Sequence, residues 1–144
     1  MSWKPEADEL KERHRFAEGL GGDEAVAKHH TQGRLTIRER ISGLCDDGSF
    51  QEVGKLTGKG TYVDGKLTKV APAPYVMGLA KIDGRPVAVG GEDFTVRGGT
   101  SWGGERRKGG QGGFVEDLAH EYRIPLVNLI DGAGGTVTSA KRRG

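Results

Sequence analysis

The pattern of apolar and polar positions changes character twice along the chain, and the changes mark out its elements. Over residues 6–19 the apolar side chains are few, Leu10, Phe16 and Ala17 with Leu20 just beyond, set among charged ones. That spacing predicts a largely solvated helix, stopped by Gly21 and Gly22. A second short helix is expected over residues 23–32, opened by Asp23, whose charge suits the positive end of a helix dipole. Thr36-Ile37-Arg38-Glu39 has the form of a capping box: the threonine oxygen accepts from the backbone three residues on, and the glutamate reaches back. Leu35, Ile41 and Leu44 are expected to supply the apolar side of this third helix, with Asp46-Asp47-Gly48 ending it.

From Phe50 onward the period shortens. Residues 50–53 read as a strand, followed by a loop rich in glycine and lysine through about residue 70. The apolar runs 75–82 and 86–90 are joined by Asp83-Gly84, a dipeptide suited to the tight turn of a β-hairpin. Residues 93–97 are expected to continue as strand. A helix is predicted at about 113–123, where Phe114, Leu118 and Tyr122 share one face with Val115 and Ala119 beside them. Pro125 ends it, and residues 125–130 read as a buried strand. Strand, helix and strand in that order imply a right-handed crossover in a parallel or mixed sheet. No segment repeats.

Composition narrows the class. With 34% apolar and 29% charged residues in 144, the chain has the makings of a globular α/β fold. The net charge of +2 is too small to point to nucleic acid or a membrane as the main partner. A single cysteine, Cys45, excludes an intramolecular disulfide and a cysteine-based zinc site, and favours a reducing compartment. The acidic residues Glu6, Asp8 and Glu9 do not resemble a targeting peptide, so a cytoplasmic location is expected. Glycine is the outlier, with 26 copies, about 18% against a usual share of about 7%. Eight of them fall between Gly98 and Gly113.

Several segments have the residue types for chemistry. Asp131-Gly132-Ala133-Gly134-Gly135 follows the last apolar strand. Glycines there leave backbone N–H groups open to a ligand, at the strand end where open α/β sheets bind; a plain tight turn fits the same residues. Gly99-Thr100-Ser101-Trp102-Gly103 matches the nucleophile-elbow pattern of serine hydrolases, with His120 and Asp117 as conceivable partners. The predicted helix begins too late for an elbow. Gly60 to Lys66 approximates a phosphate-binding loop but has Leu67 where the magnesium-binding hydroxyl belongs, and is rejected. Arg97, Arg106, Arg107 and Lys108 gather around the glycine-rich loop, where four cations suit a polyphosphate or simply solvate the loop. Trp102 offers a ring for a base to stack on, or a plug for the sheet. A Gly/Arg-rich binding module for nucleic acid is a further, non-enzymatic reading. His14, His29, His30 and His120 lack metal-ligand spacing, and no metal is expected.

Taken in order, Gly33 to Ile41, Leu44, Asp46 and Gly48 to Glu52, then Gly78 to Val89, Asp93 to Thr100, Tyr122 to Val127 and the Asp131–Gly135 turn resemble the front part of the carboxyltransferase (beta) subunits of propionyl-, methylcrotonyl- and related acyl-CoA carboxylases. The resemblance implies a crotonase-like fold of ββα units, with residues 1–32 a helical lead-in and 33–144 a partial amino-terminal domain. It implies transfer of a carboxyl group from carboxybiotin to the α-carbon of an acyl-CoA through a thioester enolate held by backbone amides. The matching amides are those of Gly134 and Gly135, with Gly132 as the alternative because the turn is one residue longer than the family's. Arg97, Arg106, Arg107 and Lys108 then become candidates for binding coenzyme A. The expected partners are a biotin carboxylase with its biotin carrier and further copies of the subunit in a hexamer. The resemblance places the site for the biotin ureido oxygen in a carboxy-terminal domain, so this segment is expected to be a fragment, inactive alone. The related component of acyl-CoA decarboxylases, which runs the transfer in reverse, shares all these features.

Overall fold

Apolar side chains on both faces of one sheet set the architecture. The computed structural model describes residues 2–100 and 113–132. In chain order the elements are helices α1 (Lys4–Glu18), α2 (Asp23–Thr31) and α3 (Ile37–Leu44), then strands β1 (Gln51–Val53), β2 (Gly58–Val63), β3 (Lys66–Pro72), β4 (Tyr75–Ile82) and β5 (Arg85–Glu92). A 3-10 turn (Arg97–Gly99), helix α4 (Phe114–Tyr122) and strand β6 (Leu126–Leu129) follow. The main sheet has the order β1-β4-β5-β6. β4 pairs antiparallel with β1 and β5, whereas β5 and β6 run parallel, from Ala88 opposite Leu126 to Gly91 opposite Leu129. The expected mixed sheet with a helical crossover is thus present.

Side chains alternate along each strand, so two cores form back to back. Val76, Ala80, Val87 and Val89 face Ile37 and Ile41 of α3, with Leu20, Cys45 and Val26 joining them. Tyr75, Met77 and Ala88 face Val115 and Ala119 of α4. A sheet covered on both sides needs nearly continuous apolar strands, as residues 75–80 and 87–89 supply.

Several expectations need correction. The residues 54–70 form no open loop: β2 and β3 pair as a separate hairpin through Asp64-Gly65. It lies along α1, where the Tyr62 hydroxyl donates to Glu9 at 2.6 Å. Residues 93–97 are not strand. Arg97, Gly98 and Gly99 have φ of 51°, 61° and 75°, a left-handed run no strand sustains. The core face of α3 uses Ile37 and Ile41, while Leu35 is 59% exposed and Leu44 lies at the surface. On α4 the buried face is Val115, Leu118 and Ala119, and Phe114 and Tyr122 look outward. Leu10 is exposed on α1. β6 is half-buried rather than buried, since it is an outer strand of the sheet.

The local signals at the helix and hairpin ends are met. Thr36 accepts from the Glu39 amide at 3.3 Å, and Glu39 accepts from the Thr36 amide at 2.7 Å. His30 adds 3.0 Å contacts to the same carboxylate. Asp83-Gly84 makes the β4–β5 turn, both residues at positive φ, and Asp46, just past α3, accepts from both of their amides at 2.9 and 2.8 Å. Asp64-Gly65 has the same backbone shape.

The Glu39 carboxyl is held down to about 2, first by the hydrogen bond from His30 and then by those from the Thr36 backbone and hydroxyl. A depressed folded value stabilises above the unfolded pKa and is lost as pH falls through the folded one. Wild-type melting temperature should therefore decline between about pH 4.5 and about 2, and Glu39→Gln should flatten that part of the profile. Thr36→Ala should cost about 1 kcal/mol by denaturant titration at neutral pH. An unchanged acid limb in Glu39→Gln would show that the capping box does not couple to folding.

Candidate functional site

The parallel pair β5–β6 brings two carboxyl ends to one edge of the sheet, and the chain leaves that edge twice. After β5 it turns through Asp93–Gly99; after β6 it passes Ile130 and Asp131 into the bend at Gly132. Close approach at this edge depends on Gly90 and Gly91. A Cβ on Gly91 would stand 2.4 Å from Ile37 Cδ1 and 2.6 Å from the Leu129 carbonyl oxygen. One on Gly90 would meet the Tyr75 ring at 2.7 Å. The tyrosine instead lies across Gly90 and donates to Asn128 Oδ1 at 2.8 Å, tying β4 to β6. Burial, and then the Glu116 and Glu92 carboxylates, raise the phenol's pKa above its usual range, so the hydroxyl keeps its proton and remains a donor.

The approach to Gly132 is fixed from two sides. The Asp131 amide donates to Glu92 Oε2 at 2.6 Å, linking the ends of the two parallel strands. The Asp131 carboxylate lies 3.3 Å from Arg40 Nη1 of α3. That nitrogen is buried and makes no hydrogen bond among the described residues, so its contact with Asp131 is Coulombic rather than directional. Next door, Arg38 grips Glu52 of β1 with two bonds of 2.8 and 3.0 Å. Gly132 itself is exposed at φ 70°, and among the described residues nothing lies within 4 Å of where a Cβ would stand. Its positive φ suits glycine.

On the other exit, the Asp93 side chain is buried and accepts from Thr95, from its amide at 3.0 Å and its hydroxyl at 2.6 Å. Burial raises its pKa, and the Thr95 bonds work against the rise. Arg97 is half-buried and donates from Nε to the Thr100 carbonyl at 3.4 Å. Of the sequence candidates, then, Gly132 and Arg97 stand at the same sheet edge. Gly134, Gly135, Arg106, Arg107, Lys108, Trp102 and Ser101 lie outside the described residues. His120 and Asp117 are exposed on α4, which starts at Phe114, while the strand before Ser101 ends at Glu92. That spacing does not make a nucleophile elbow. Among the described residues, no group of three or more metal-ligating side chains converges, and no helix is long and apolar enough to cross a membrane.

Sequence reasoning missed Arg40, Glu92, Tyr75 and Asn128. Arg40 belongs to the motif that signals α3, but no spacing rule links residue 40 to residue 131. The Gly90-Gly91 pair inside an apolar run was the available sign of a close crossing.

A sheet with helices on both faces and a glycine bend at the carboxyl ends of its parallel strands defines an α/β protein, a class whose open sheets bind ligands at that edge. The family model of the carboxyl transferase domain matches residues 28–143. The carboxyltransferase subunit of propionyl-CoA carboxylase from Haloferax mediterranei is 33% identical over 138 residues, covering 95% of this chain and 26% of that one. Methylmalonyl-CoA decarboxylase subunit alpha from Veillonella parvula is 35% identical, over 83% of this chain and 23% of its own. The transcarboxylase 12S structure with methylmalonyl-CoA and methylmalonic acid bound superposes with a TM-score of 0.75 at 31% identity, covering 95% of this chain and 26% of that one. The chain belongs to the carboxyl transferase domain family, and its fold is part of that crotonase-like domain. It spans about a quarter of the length of these relatives.

If Glu92 sets the bend, Glu92→Ala should free the Asp131 amide. Loss of a hydrogen bond to a charged acceptor, about 1.5–3 kcal/mol, should speed its hydrogen exchange roughly 10- to 100-fold. Exchange at Asp131 and Gly132 as slow as in the wild type would show that the bend is held by something else.

Proposed function

We propose that the chain is part of the carboxyltransferase component of a biotin-dependent acyl-CoA carboxylase, and that the bend at residues 132–135 holds the enolate oxygen of an acyl-CoA. The observation that carries this reading is the fixed approach to Gly132, at the carboxyl end of β6 and clamped by Glu92 and Arg40. Removal of the α-proton of a thioester puts negative charge on its oxygen, and preorganised backbone N–H groups at that point stabilise it. One such donor is worth roughly 3–4 kcal/mol of barrier. The Gly134 and Gly135 amides are the family-matched donors, with Gly132 the alternative. Arg40 offsets the charge of the Asp131 carboxylate beside the bend.

Carboxybiotin would supply the carboxyl group. The resemblance assigns the biotin ureido oxygen to a second domain, so the residues here bind and orient the acyl-CoA half of the reaction. The expected partners are the biotin carboxylase and carrier and, for the full-length subunit, five further copies of itself, in keeping with the relative described as a hexamer. A second reading, the transfer component of an acyl-CoA decarboxylase, is favoured by the comparable likeness to the Veillonella protein. It uses the same bend in the reverse direction.

The test uses the chain itself. Propionyl-CoA or methylmalonyl-CoA at about ten times its Kd should slow tryptic cleavage at Arg97, Arg106, Arg107 and Lys108 roughly tenfold if these residues contact the ligand. Identical digestion with and without either thioester, up to millimolar concentration, would overturn the acyl-CoA reading.

A further inference from the structure

The β2–β3 hairpin has two unlike faces. A Cβ on Gly60 would stand 3.1 Å from Leu67 Cδ1, 3.2 Å from the Tyr62 ring and 3.3 Å from Arg13 Nη2, so these residues look toward α1. Alternation then puts Lys59, Thr61 and Val63 of β2 on the other face, together with their cross-strand partners Ala71, Lys69 and Lys66 of β3. All but Ala71 are exposed, Val63 at 55%. Lys55, at the foot of the hairpin, pairs with Glu18, whereas the three lysines of this face form no ion pair among the described residues. Between residues 58 and 72 the one acid is Asp64, in the turn. The face is cationic and carries nothing to neutralise it.

Helix α4 presents the opposite charge. Phe114, Asp117 and Glu121 follow at i, i+3 and i+7, which sets them on one stripe, and all three are exposed. Asp117, in the first turn, suits the positive end of the helix. Glu121 lies in the last turn, where a carboxylate opposes the dipole, so helix stability does not account for it. Neither carboxylate has an ion-pair partner among the described residues. Four residues apart, they are separated by roughly 6 Å along the helix. Lys59 and Lys69 are diagonal cross-strand neighbours, roughly 7–8 Å apart. The spacings agree, and the Phe114 ring offers a surface for a lysine stem and its ammonium group.

The two faces cannot meet within one chain. α4 packs on β5 and β6, over the core that holds Tyr75 and Met77. The hairpin packs on α1, and its Val70 shares a cavity wall with Leu20, which belongs to the core on the other side of the sheet. We propose that the lysine face of the hairpin docks on the α4 stripe of a second copy of this chain. Each copy offers both faces, so the contact is head-to-tail and either closes into a ring or continues as an open chain. A helix of 9 residues against two strands makes a small, transient interface, and one carried by exposed charges is screened by salt. No thioester takes part, so the inference is independent of the acyl-CoA reading.

Sedimentation equilibrium of the chain tests it. Association should set in on the order of 100 µM, as for other small interfaces, and weaken about tenfold between about 0.05 and about 0.5 M salt. Lys59→Glu/Lys69→Glu and, separately, Asp117→Lys/Glu121→Lys should each stay monomeric, because each brings like charges together. Mixing the two variants should restore association, since each supplies the face the other has lost. All four side chains are exposed, and unaltered melting temperatures of both variants confirm that folding is intact. A wild type still monomeric at about 1 mM would overturn the proposal. Association retained by either variant alone, or a mixture that stays monomeric, would show that these two faces do not pair. Single-stranded RNA bound by the wild type below its self-association range, and not by Lys59→Glu/Lys69→Glu, would assign the lysines to nucleic acid and overturn it as well.

Discussion

The contact between β5 and β6 governs how everything else is placed. A parallel neighbour can sit against β5, with α3 packed on one side and Tyr75 lying across the other, only where β5 carries no side chain. The backbone meets that condition at two successive residues. Gly91 admits Ile37 and the Leu129 carbonyl, and Gly90 admits the tyrosine ring. A methyl group at either position would force atoms well inside van der Waals contact, at a cost of about 1–3 kcal/mol by analogy with overpacked cores. The strain would fall first on the outer strand β6, and so on the bend it leads into.

α3 converts that packing into a positioned edge. Its three charged residues in sequence point to three different elements: Arg38 to Glu52 of β1, Glu39 back to its own amino end, and Arg40 to Asp131 beyond β6. One short helix thereby spans the sheet from one outer strand to the other. Exposed ion pairs are usually worth little. Glu52 is mostly buried, however, and Arg38 holds it through two bonds, so this pair carries more geometric information than the surface pairs along α1.

Much of this was legible in one dimension. The capping box, the Asp83-Gly84 hairpin, the helix before Pro125 and the strand after it all rest on local rules, and local rules survive tertiary context. The failures have physical causes. Leu35 looked like core because it is apolar, but the cap at Thr36 fixes where the helix begins and turns Ile37 and Ile41 inward instead. Phe114 and Tyr122 fit a helical face, yet the sheet meets the face one position on, where the smaller Val115 and Ala119 allow close approach. The β2–β3 hairpin was hidden by lysines and glycines, although Asp64-Gly65 was the same dipeptide recognised nineteen residues later. For the site, the glycine bend was visible, whereas its supports were not: Glu92 and Arg40 become neighbours of Asp131 only once the parallel strands are paired.

The two Asp-Gly corners invite one last comparison. They share a backbone shape, yet the one at 83–84 has both amides tied to Asp46, whereas no such carboxylate serves the one at 64–65 among the described residues. Opening of a folded chain begins where few bonds hold the backbone. The molecule is therefore expected to fray from the β2–β3 tip while the β4–β5 corner stays shut. Thermal fluctuation is thus directed into a hairpin that stands apart from the main sheet, away from the strands that carry the glycine bend.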